Sequence, residues 1–524
     1  MTTTIAEPYN ITRPHSVSEW KLSGTCLVRP LRGAELLVRS SEHYCDGNFN
    51  LTTKATISST LTDAQLLRRH QAAWYRTRLV HPVIGVHFPT LEQASYALHQ
   101  TASEAKQWTQ QTCLVETKTT VNDVYLARSR AKMGAISMTL VLDPARGPRG
   151  CVLNISHTLM NADFFVIVQE YIAQLGNTEN ERGVEGIFNP TLETVQSISP
   201  RLPQSLSNAY TRLTPSPTPQ DLQDAMHAYE RAQARWTRPS IGIPLHPNHA
   251  RRTRHIQNKT IAFEPSESRA AFSFLKESGL SLTAAFFASM VAAIATRYPA
   301  TPEEQIDGAH LCFPVHGRRR LDTDATEDGA GPVRMPIIPC SAWVSSHEAD
   351  LTPTSQKGLM RLAAQISRAM NDEVSSPHVI AVFEQLGPEM ARAIADASTA
   401  PPEPPAAGCS AARGRPTLTS QGQFSNARDR LAQTQTKADG ENGEGGTAMS
   451  DFNSGGRTTD PSVCFALNSF RDELRFNLLF DERFFGYTET MMLGFEVAGL
   501  FRRLVGIHGD GDGDVSLGSV RARL

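Results

Sequence analysis

Two short apolar runs, ISMTLVLD (136–143) and CVLNIS (151–156), constrain the fold most. Each has the length and composition of a buried strand, and the turn-rich PARGPRG between them predicts that the two strands are neighbours. The next segment, NADFFVIVQEYIAQL, places Phe164, Phe165 and Val168 at helical spacing. A buried strand that passes directly into a helix is typical of an α/β fold.

Strands and helices alternate through both halves of the chain. Thr62 and Gln65 have capping-box spacing at the start of a helical run that ends before Pro82. Residues 20–60 are predicted as short extended pieces such as TCLVRPL and AELLVRS. Further strands are expected at 84–88, 112–116, 258–263, 309–315, 462–470 and 473–481, and further helices at 91–110, 220–236, 266–278, 282–298, 355–371, 376–398 and 487–506. Arg471 and Asp472 are a candidate two-residue turn that would join the last two strands in a hairpin. The pattern predicts an α/β protein with two lobes that face each other across a cleft.

The length of 524 residues is more than one hydrophobic core usually organises, which predicts two or three lobes. We expect an N-terminal arm at 1–19, a first lobe with His157 at 20–180, a linker at 181–219, a second lobe at 220–508 and a loose tail at 509–524. Inside the second lobe, residues 399–461 are rich in Pro, Gly and charged residues. Such a composition buries little apolar surface, so a mobile insertion is expected there.

Composition argues against several classes of function. The formal net charge of -2 provides no overall field for a polyanion, so nucleic acid is not an expected partner. The eight cysteines include no C-x-x-C pair, which argues against a zinc site and a disulfide framework, and no metal is expected. The N-terminus lacks the apolar core of a secretory signal, and the most apolar segment (282–298) is shorter than the ~20 residues of a membrane span. We therefore expect a cytoplasmic protein without membrane contact.

His157 lies where the second apolar strand gives way to a helix, in the stretch ISHTLMNADFF. Reactive groups of α/β proteins collect at such strand ends, and an imidazole there can accept a proton from an attacking hydroxyl or amine. A buried histidine that is hydrogen-bonded to backbone is the structural alternative. The local sequence leaves both interpretations open.

The segment SHTLMNA resembles the H-H-x-x-x-D-G motif of the chloramphenicol acetyltransferase and condensation-domain superfamily, which includes the BAHD acyltransferases. Ser156 lies at the first His of that motif, His157 at the second, catalytic His, Asn161 at the Asp and Ala162 at the Gly. Four other segments resemble family elements in the same order: LTDAQLLRRHQAAWYRTRLVHPVIGV, SLTAAFFASMVAAIA, CFPVHGRRRL and FALNSFRDELRFNLLFDERFFGYTETMMLGFEVAGLFRRL. These segments most resemble those of fungal secondary-metabolite O-acyltransferases such as the trichothecene O-acetyltransferases.

This resemblance implies a two-lobed α/β enzyme of the chloramphenicol acetyltransferase type, with an active-site tunnel between the lobes. It implies acyl-CoA as co-substrate, no bound cofactor, and a small-molecule alcohol as acceptor. His157 would deprotonate that hydroxyl, whose oxygen then attacks the thioester. The expected function is O-acyl transfer, with acetyl as the expected group, to a hydrophobic secondary metabolite of the mycotoxin kind in a fungus.

Several further residues are candidates by position. The resemblance implies that the motif Asp holds the loop through an arginine, and Asn161 at that position offers hydrogen bonds but no charge. Asp163 is a candidate for the missing carboxylate or simply suits the first turn of the next helix. Arg318 and Arg319 in GRRRL are candidates for binding CoA phosphates, with a solvated turn as the alternative. Ser420 or the backbone of Gly422 in TSQGQ is a candidate oxyanion donor, with a plain loop as the alternative.

Two other functions stay open. An acyl carrier protein instead of free CoA could present the donor, as in condensation and polyketide-offloading enzymes. The altered motif also fits a non-catalytic homologue that binds a ligand or scaffolds a pathway.

Overall fold

A computed structural model of the chain describes residues 19–143, 145, 147–160, 164–213, 217–317, 337–373, 379–399, 413–424 and 446–507. The described α-helices are α1 (Gly33–Tyr44), α2 (Asp63–Val80), α3 (Ala102–Thr112), α4 (Val121–Arg130), α5 (Phe164–Gly176), α6 (Gly183–Ile187), α7 (Val195–Ile198), α8 (Leu206–Leu213), α9 (Pro219–Thr237), α10 (Pro265–Ser278), α11 (Leu282–Arg297), α12 (Gln356–Glu373), α13 (Val379–Thr399) and α14 (Tyr487–Leu504). The described strands are β1 (Lys21–Ser23), β2 (Cys26–Pro30), β3 (Leu51–Ser59), β4 (Val86–His87), β5 (Gln93–Ala97), β6 (Cys113–Glu116), β7 (Ser137–Val141), β8 (Gly150–Ile155), β9 (Ile243–Pro244), β10 (Ile256–Ala262), β11 (Gly308–His316), β12 (Ile337–Ser345), β13 (Arg413–Phe424), β14 (Thr447–Gly456), β15 (Ser462–Phe470) and β16 (Glu473–Asp481).

The first lobe is built on a sheet whose described strands have the order β14-β3-β8-β7-β6. The two apolar runs of the sequence are its fully buried antiparallel neighbours β7 and β8. Helices α2 and α5 contribute Leu66, Trp74 and Val168 to the same core, and Leu27 and Tyr96 join it from a smaller sheet of order β1-β2-β5-β4. Burial on both faces explains why β7 and β8 are predominantly apolar instead of strictly alternating.

The second lobe contains a sheet of order β10-β16-β15-β13-β11-β12, with β9 paired to β13. Helix α11 packs into its core, and the Phe286 ring lies 4.8 Å from that of Phe476. Strands β15 and β16 form the predicted hairpin, and Arg471 in its turn has a φ of 54°. The α/β class and the second-lobe hairpin are as predicted.

The segment 399–461, predicted as a mobile insertion, contains two strands in the parts that the structure describes. Strand β13 pairs in parallel with β15 in the second lobe, and β14 crosses to the first lobe, where it pairs antiparallel with β3. Polar and glycine-rich flanks hid β14, but its Met449 and Phe452 are buried in the first lobe's core. The second lobe predicted at 220–508 therefore gives one strand to the sheet of the first.

Three other predictions from the first half need correction. The run AELLVRS, predicted as extended, lies in helix α1, because Glu35, Val38 and Glu42 at helical spacing face the interior. The helix predicted at 91–110 begins only at Ala102 and is preceded by strand β5, which pairs with β2. The linker predicted at 181–219 contains α6, α7 and α8 and packs on the first lobe, where Glu193 forms a buried ion pair with Arg78.

In the part of the chain that the structure describes, no single helix has the length and apolar composition to cross a membrane. Helices α10 and α11 meet that criterion only as a pair bent by 104°. Residues 284–295 of α11 are buried inside the second lobe.

Candidate active site

His157 lies on the turn that connects β8, which ends at Ile155, with α5, which begins at Phe164. Its backbone amide donates to Glu42, and its carbonyl accepts from the amide of Met160 at 3.3 Å. The ring is partly buried, and its Nδ1 lies 2.5 Å from the carbonyl oxygen of Met160. Hydrogen bonds therefore hold both the main chain and the imidazole of His157.

The Met160 contact determines which ring nitrogen of His157 carries the proton. A backbone carbonyl only accepts, so Nδ1 is the protonated nitrogen and donates to it. Burial lowers the pKa of His157 below its ordinary value, and the Met160 hydrogen bond offsets only part of this effect. The neutral ring then has an unprotonated Nε2, which is the form that a general base requires.

The Glu42 carboxylate, on the last turn of α1, contacts three consecutive residues of this turn. It accepts from the Ser156 hydroxyl at 2.7 and 2.9 Å, from the His157 amide at 2.7 Å and from the Thr158 hydroxyl at 2.9 Å. The side chain of Glu42 is 2% exposed, and the Arg39 guanidinium lies 3.6 Å from it. One buried carboxylate thus satisfies the polar groups on both sides of His157.

A cavity of about 530 Å³ adjoins this turn in the first lobe and is lined by Glu42 and Ser156. Arg39 and Lys132 contribute cationic side chains to its wall, and Trp108 contributes an aromatic one. The Arg39 guanidinium also lies over the ring of Phe88, 4.6 Å from its centre. The cavity is large enough for a small organic ligand, and polar and apolar residues contribute about equally to its wall.

Comparisons with known proteins identify the fold. No protein-family model matches the chain. The chain is 26% identical over 513 residues to the acyl-CoA-dependent acyltransferase MAC2 of Pseudozyma antarctica (strain T-34), covering 87% of this chain and 91% of that protein. Among solved structures, the TRI3 trichothecene 15-O-acetyltransferase of Fusarium sporotrichioides superposes with a TM-score of 0.71 at 14% identity, covering 93% of this chain and 98% of that one. The first condensation domain of the calcium-dependent antibiotic synthetase gives a TM-score of 0.54 at 14% identity, covering 91% and 96%.

The chain is an acyltransferase with the two-lobed chloramphenicol acetyltransferase-like fold. The predicted fold class and enzyme class are thereby confirmed.

Of the candidate residues in this acyltransferase, His157 has the contacts given above. Asn161 and Asp163, the two candidates for motif support, lie outside the described residues. Arg318 and Arg319, the candidates for CoA phosphates, also lie outside them. Their predicted roles stay predictions.

Ser420 and Gly422 lie at a bulge of β13 and line a separate cavity of about 130 Å³ with Phe272 and Leu282 of helices α10 and α11. Gln421 between them faces the other way and accepts from the Ser454 hydroxyl of β14 at 2.6 Å. The predicted oxyanion role of Ser420 and Gly422 stays a prediction.

Glu42 is the site residue that sequence reasoning missed in this acyltransferase. The segment around it was predicted as extended, which sends neighbouring side chains to opposite faces and hides a helical pattern. A signal was present, since Glu35 and Glu42 are seven residues apart and lie on one face of a helix. Nothing in the sequence shows that this face meets the His157 turn.

Proposed function

We propose that this acyltransferase moves an acyl group, with acetyl as the expected one, from acyl-CoA to a hydroxyl of a hydrophobic small molecule, with His157 as the general base. The observation that carries the proposal is the geometry of His157: its Nδ1 is bound to the Met160 carbonyl and its Nε2 is left as a proton acceptor. Acyl-CoA dependence is supported by the name of the MAC2 relative. The hydroxyl acceptor is supported by the sequence resemblance to fungal O-acyltransferases.

In the proposed reaction, Nε2 of His157 takes the proton of the acceptor hydroxyl while its oxygen bonds to the thioester carbonyl carbon. A tetrahedral oxyanion forms and collapses by breaking the carbon–sulfur bond. The imidazolium returns its proton to the departing thiolate, so free CoA and the ester leave and His157 is restored. General-base assistance of this kind contributes about 10²- to 10⁴-fold in rate.

The test is thiol release by the purified protein, supplied with acetyl-CoA and a panel of hydrophobic secondary-metabolite alcohols. We expect acceptor-dependent CoA release that falls by about 10²-fold or more in His157→Ala. His347→Ala is the control, because His347 is exposed on the loop after β12 and is expected to keep the wild-type rate. Wild-type turnover by His157→Ala would show that the base assignment is wrong.

The same panel with an acyl-loaded carrier protein in place of acetyl-CoA tests the donor. Transfer from the carrier but not from CoA would replace the proposed donor. If no acyl transfer is detected with either donor and any acceptor of the panel, a non-catalytic homologue would be favoured over an enzyme.

A further inference from the structure

We infer that Glu42 is the positioning residue for His157, holding the catalytic turn from a helix 115 residues earlier in the chain. The inference deepens the proposed function and rests on the role given there to His157. It assigns Glu42 no contact with substrate: the carboxylate acts through the main chain of the base.

His157 is anchored at two points that constrain different parts of it. Met160 binds Nδ1 and limits rotation of the ring, whereas Glu42 binds the amide nitrogen and limits movement of the backbone. With only the Met160 contact, ring and turn could move together, because Met160 belongs to the same turn. Glu42 is thus the contact that ties the turn to another element.

The neighbours of His157 add to this anchor. Ser156 donates to both oxygens of Glu42 and accepts from the Thr158 amide at 3.1 Å, so its hydroxyl closes the turn on itself. Thr158 is fully buried and donates its hydroxyl to Oε2 of Glu42. The three residues therefore depend on one acceptor group, and its loss would leave their donors unpaired.

Residues of α1 nearer its start than Glu42 have partners of their own. The helix begins beside a buried ion pair, in which both terminal nitrogens of Arg29 donate to Glu35 at 2.7 and 2.8 Å. Near the start of the helix, the Gly387 backbone of α13 approaches Gly33 so closely that a Cβ on Gly387 would lie 3.1 Å from the Gly33 Cα. Burial raises the pKa of Glu42, and the hydrogen bonds from the turn oppose this shift.

Three variants, at Glu42 and Thr158, separate a positioning role of Glu42 from an effect of its charge. Glu42→Ala removes every acceptor, and we expect kcat to fall by about 100-fold, the scale of a displacement near 1 Å, while KM for the acyl donor stays within about twofold. Glu42→Gln keeps an acceptor for the His157 amide, and its NH₂ can donate to the hydroxyls of Ser156 and Thr158, so kcat should stay within about threefold of wild type. Thr158→Val removes one donor with little change of shape, and its effect should shrink in the Glu42→Ala background.

Glu35→Gln is the matched control, since Glu35 is an equally buried carboxylate on the same face of α1 but binds Arg29 instead of the turn. We expect it to lower thermal stability and to leave kcat per folded molecule unchanged. Ser41→Ala, which removes only a hydroxyl bonded to Leu37 within α1, controls for substitution next to Glu42. Equal loss of kcat in Glu35→Gln and Glu42→Ala would reduce Glu42 to a stabilising residue and overturn the inference.

Hydrogen–deuterium exchange of peptides covering residues 152–160 provides a readout that needs no turnover. The His157 amide should exchange faster in Glu42→Ala than in wild type, and at the wild-type rate in Glu42→Gln and Ser41→Ala. If the wild-type protein transfers no acyl group, the proposed function fails and exchange alone decides the inference. Unchanged exchange in Glu42→Ala would overturn the inference even if His157 proved to be the base.

Discussion

The chemistry proposed here depends on the protonation state of one imidazole. His157 has a carbonyl on Nδ1, and burial favours the neutral ring, so the proton acceptor is Nε2 over the whole neutral range of pH. A histidine exposed to water would be partly protonated near its ordinary pKa of about 6.5 and partly lost as a base. The fold therefore prepares the base before substrate arrives.

A lowered pKa for His157 predicts the pH dependence of the reaction. Only the neutral ring accepts a proton, so the decline of kcat/KM on the acid side should be centred below pH 6.5, where His157 is protonated. Initial rates measured from pH 8 to pH 4.5, in a range where circular dichroism shows a folded protein, check this. A decline centred above pH 6.5 would contradict the assignment.

At the level of elements, the His157 turn is supported from two distant parts of the chain. Helix α1 contributes Glu42 on one side, and strand β14 contributes Phe452 behind the start of α5. The ring of Phe452 lies 4.9 Å from that of Phe165 and 5.0 Å from that of Phe424. The cluster therefore packs against Phe164 and Phe165 in the first described turn of α5, the helix that follows the His157 turn.

Phe452→Ala tests the contribution of this cluster. Phe452 is fully buried and is surrounded by rings of both lobes, so truncation leaves a cavity and should lower the free energy of unfolding by about 3–5 kcal/mol. Leu67→Ala on α2 is the control, because Leu67 is 48% exposed and its loss should change stability by less than about 0.5 kcal/mol. Urea unfolding of both variants gives the comparison, and equal losses would show that the cluster is not specially stabilising.

At the level of the whole molecule, polar side chains join the two sheets. Asn453 of β14 donates to Thr260 of β10 at 2.7 Å and accepts from Asn477 of β16 at 2.8 Å. Arg457 donates to the side chain of Asp46 at 2.6 Å. Burial works against ionisation of Asp46, but the hydrogen bonds from Arg254 and Arg457 outweigh it and lower the pKa of that carboxyl. These contacts connect the end of β14 to both lobes.

Buried neutral histidines predict how the stability of the whole fold depends on pH. Burial lowers the pKa of His70 to about 4; its ring lies between the Tyr171 hydroxyl at 2.6 Å and the Leu114 carbonyl at 2.8 Å. Between pH 6.5 and pH 4, His70 is protonated in the unfolded chain but neutral in the folded protein. The free energy of unfolding should therefore fall by about 1.4 kcal/mol per pH unit over this range. Urea unfolding at pH 7.5, 6 and 5 measures this slope. In His70→Gln the slope should be smaller by about 1.4 kcal/mol per pH unit, the effect of one proton. An equal slope in the variant would rule out His70 as the titrating group.

The sequence by itself determined the α/β class, the buried strands β7 and β8, the hairpin of β15 and β16, and the position of His157 between a strand and a helix. Each of these features follows from periodicity, capping or turn residues, and all of these signals come from residues that are close together in the sequence. The capping box of Thr62 and Gln65 is an example, with the amide of Gln65 bound to the Thr62 hydroxyl as predicted.

Only the tertiary structure decided what surrounds His157. Glu42 is 115 residues away in sequence, and the Thr447–Gly456 strand lies almost 300 residues after the turn that its Phe452 supports. A local pattern records which face of an element is buried but not which other element covers it, because that choice is made by packing between segments far apart in the chain. For this reason His157 could be proposed as the base from the sequence, whereas its contact with the Glu42 carboxylate could not be predicted.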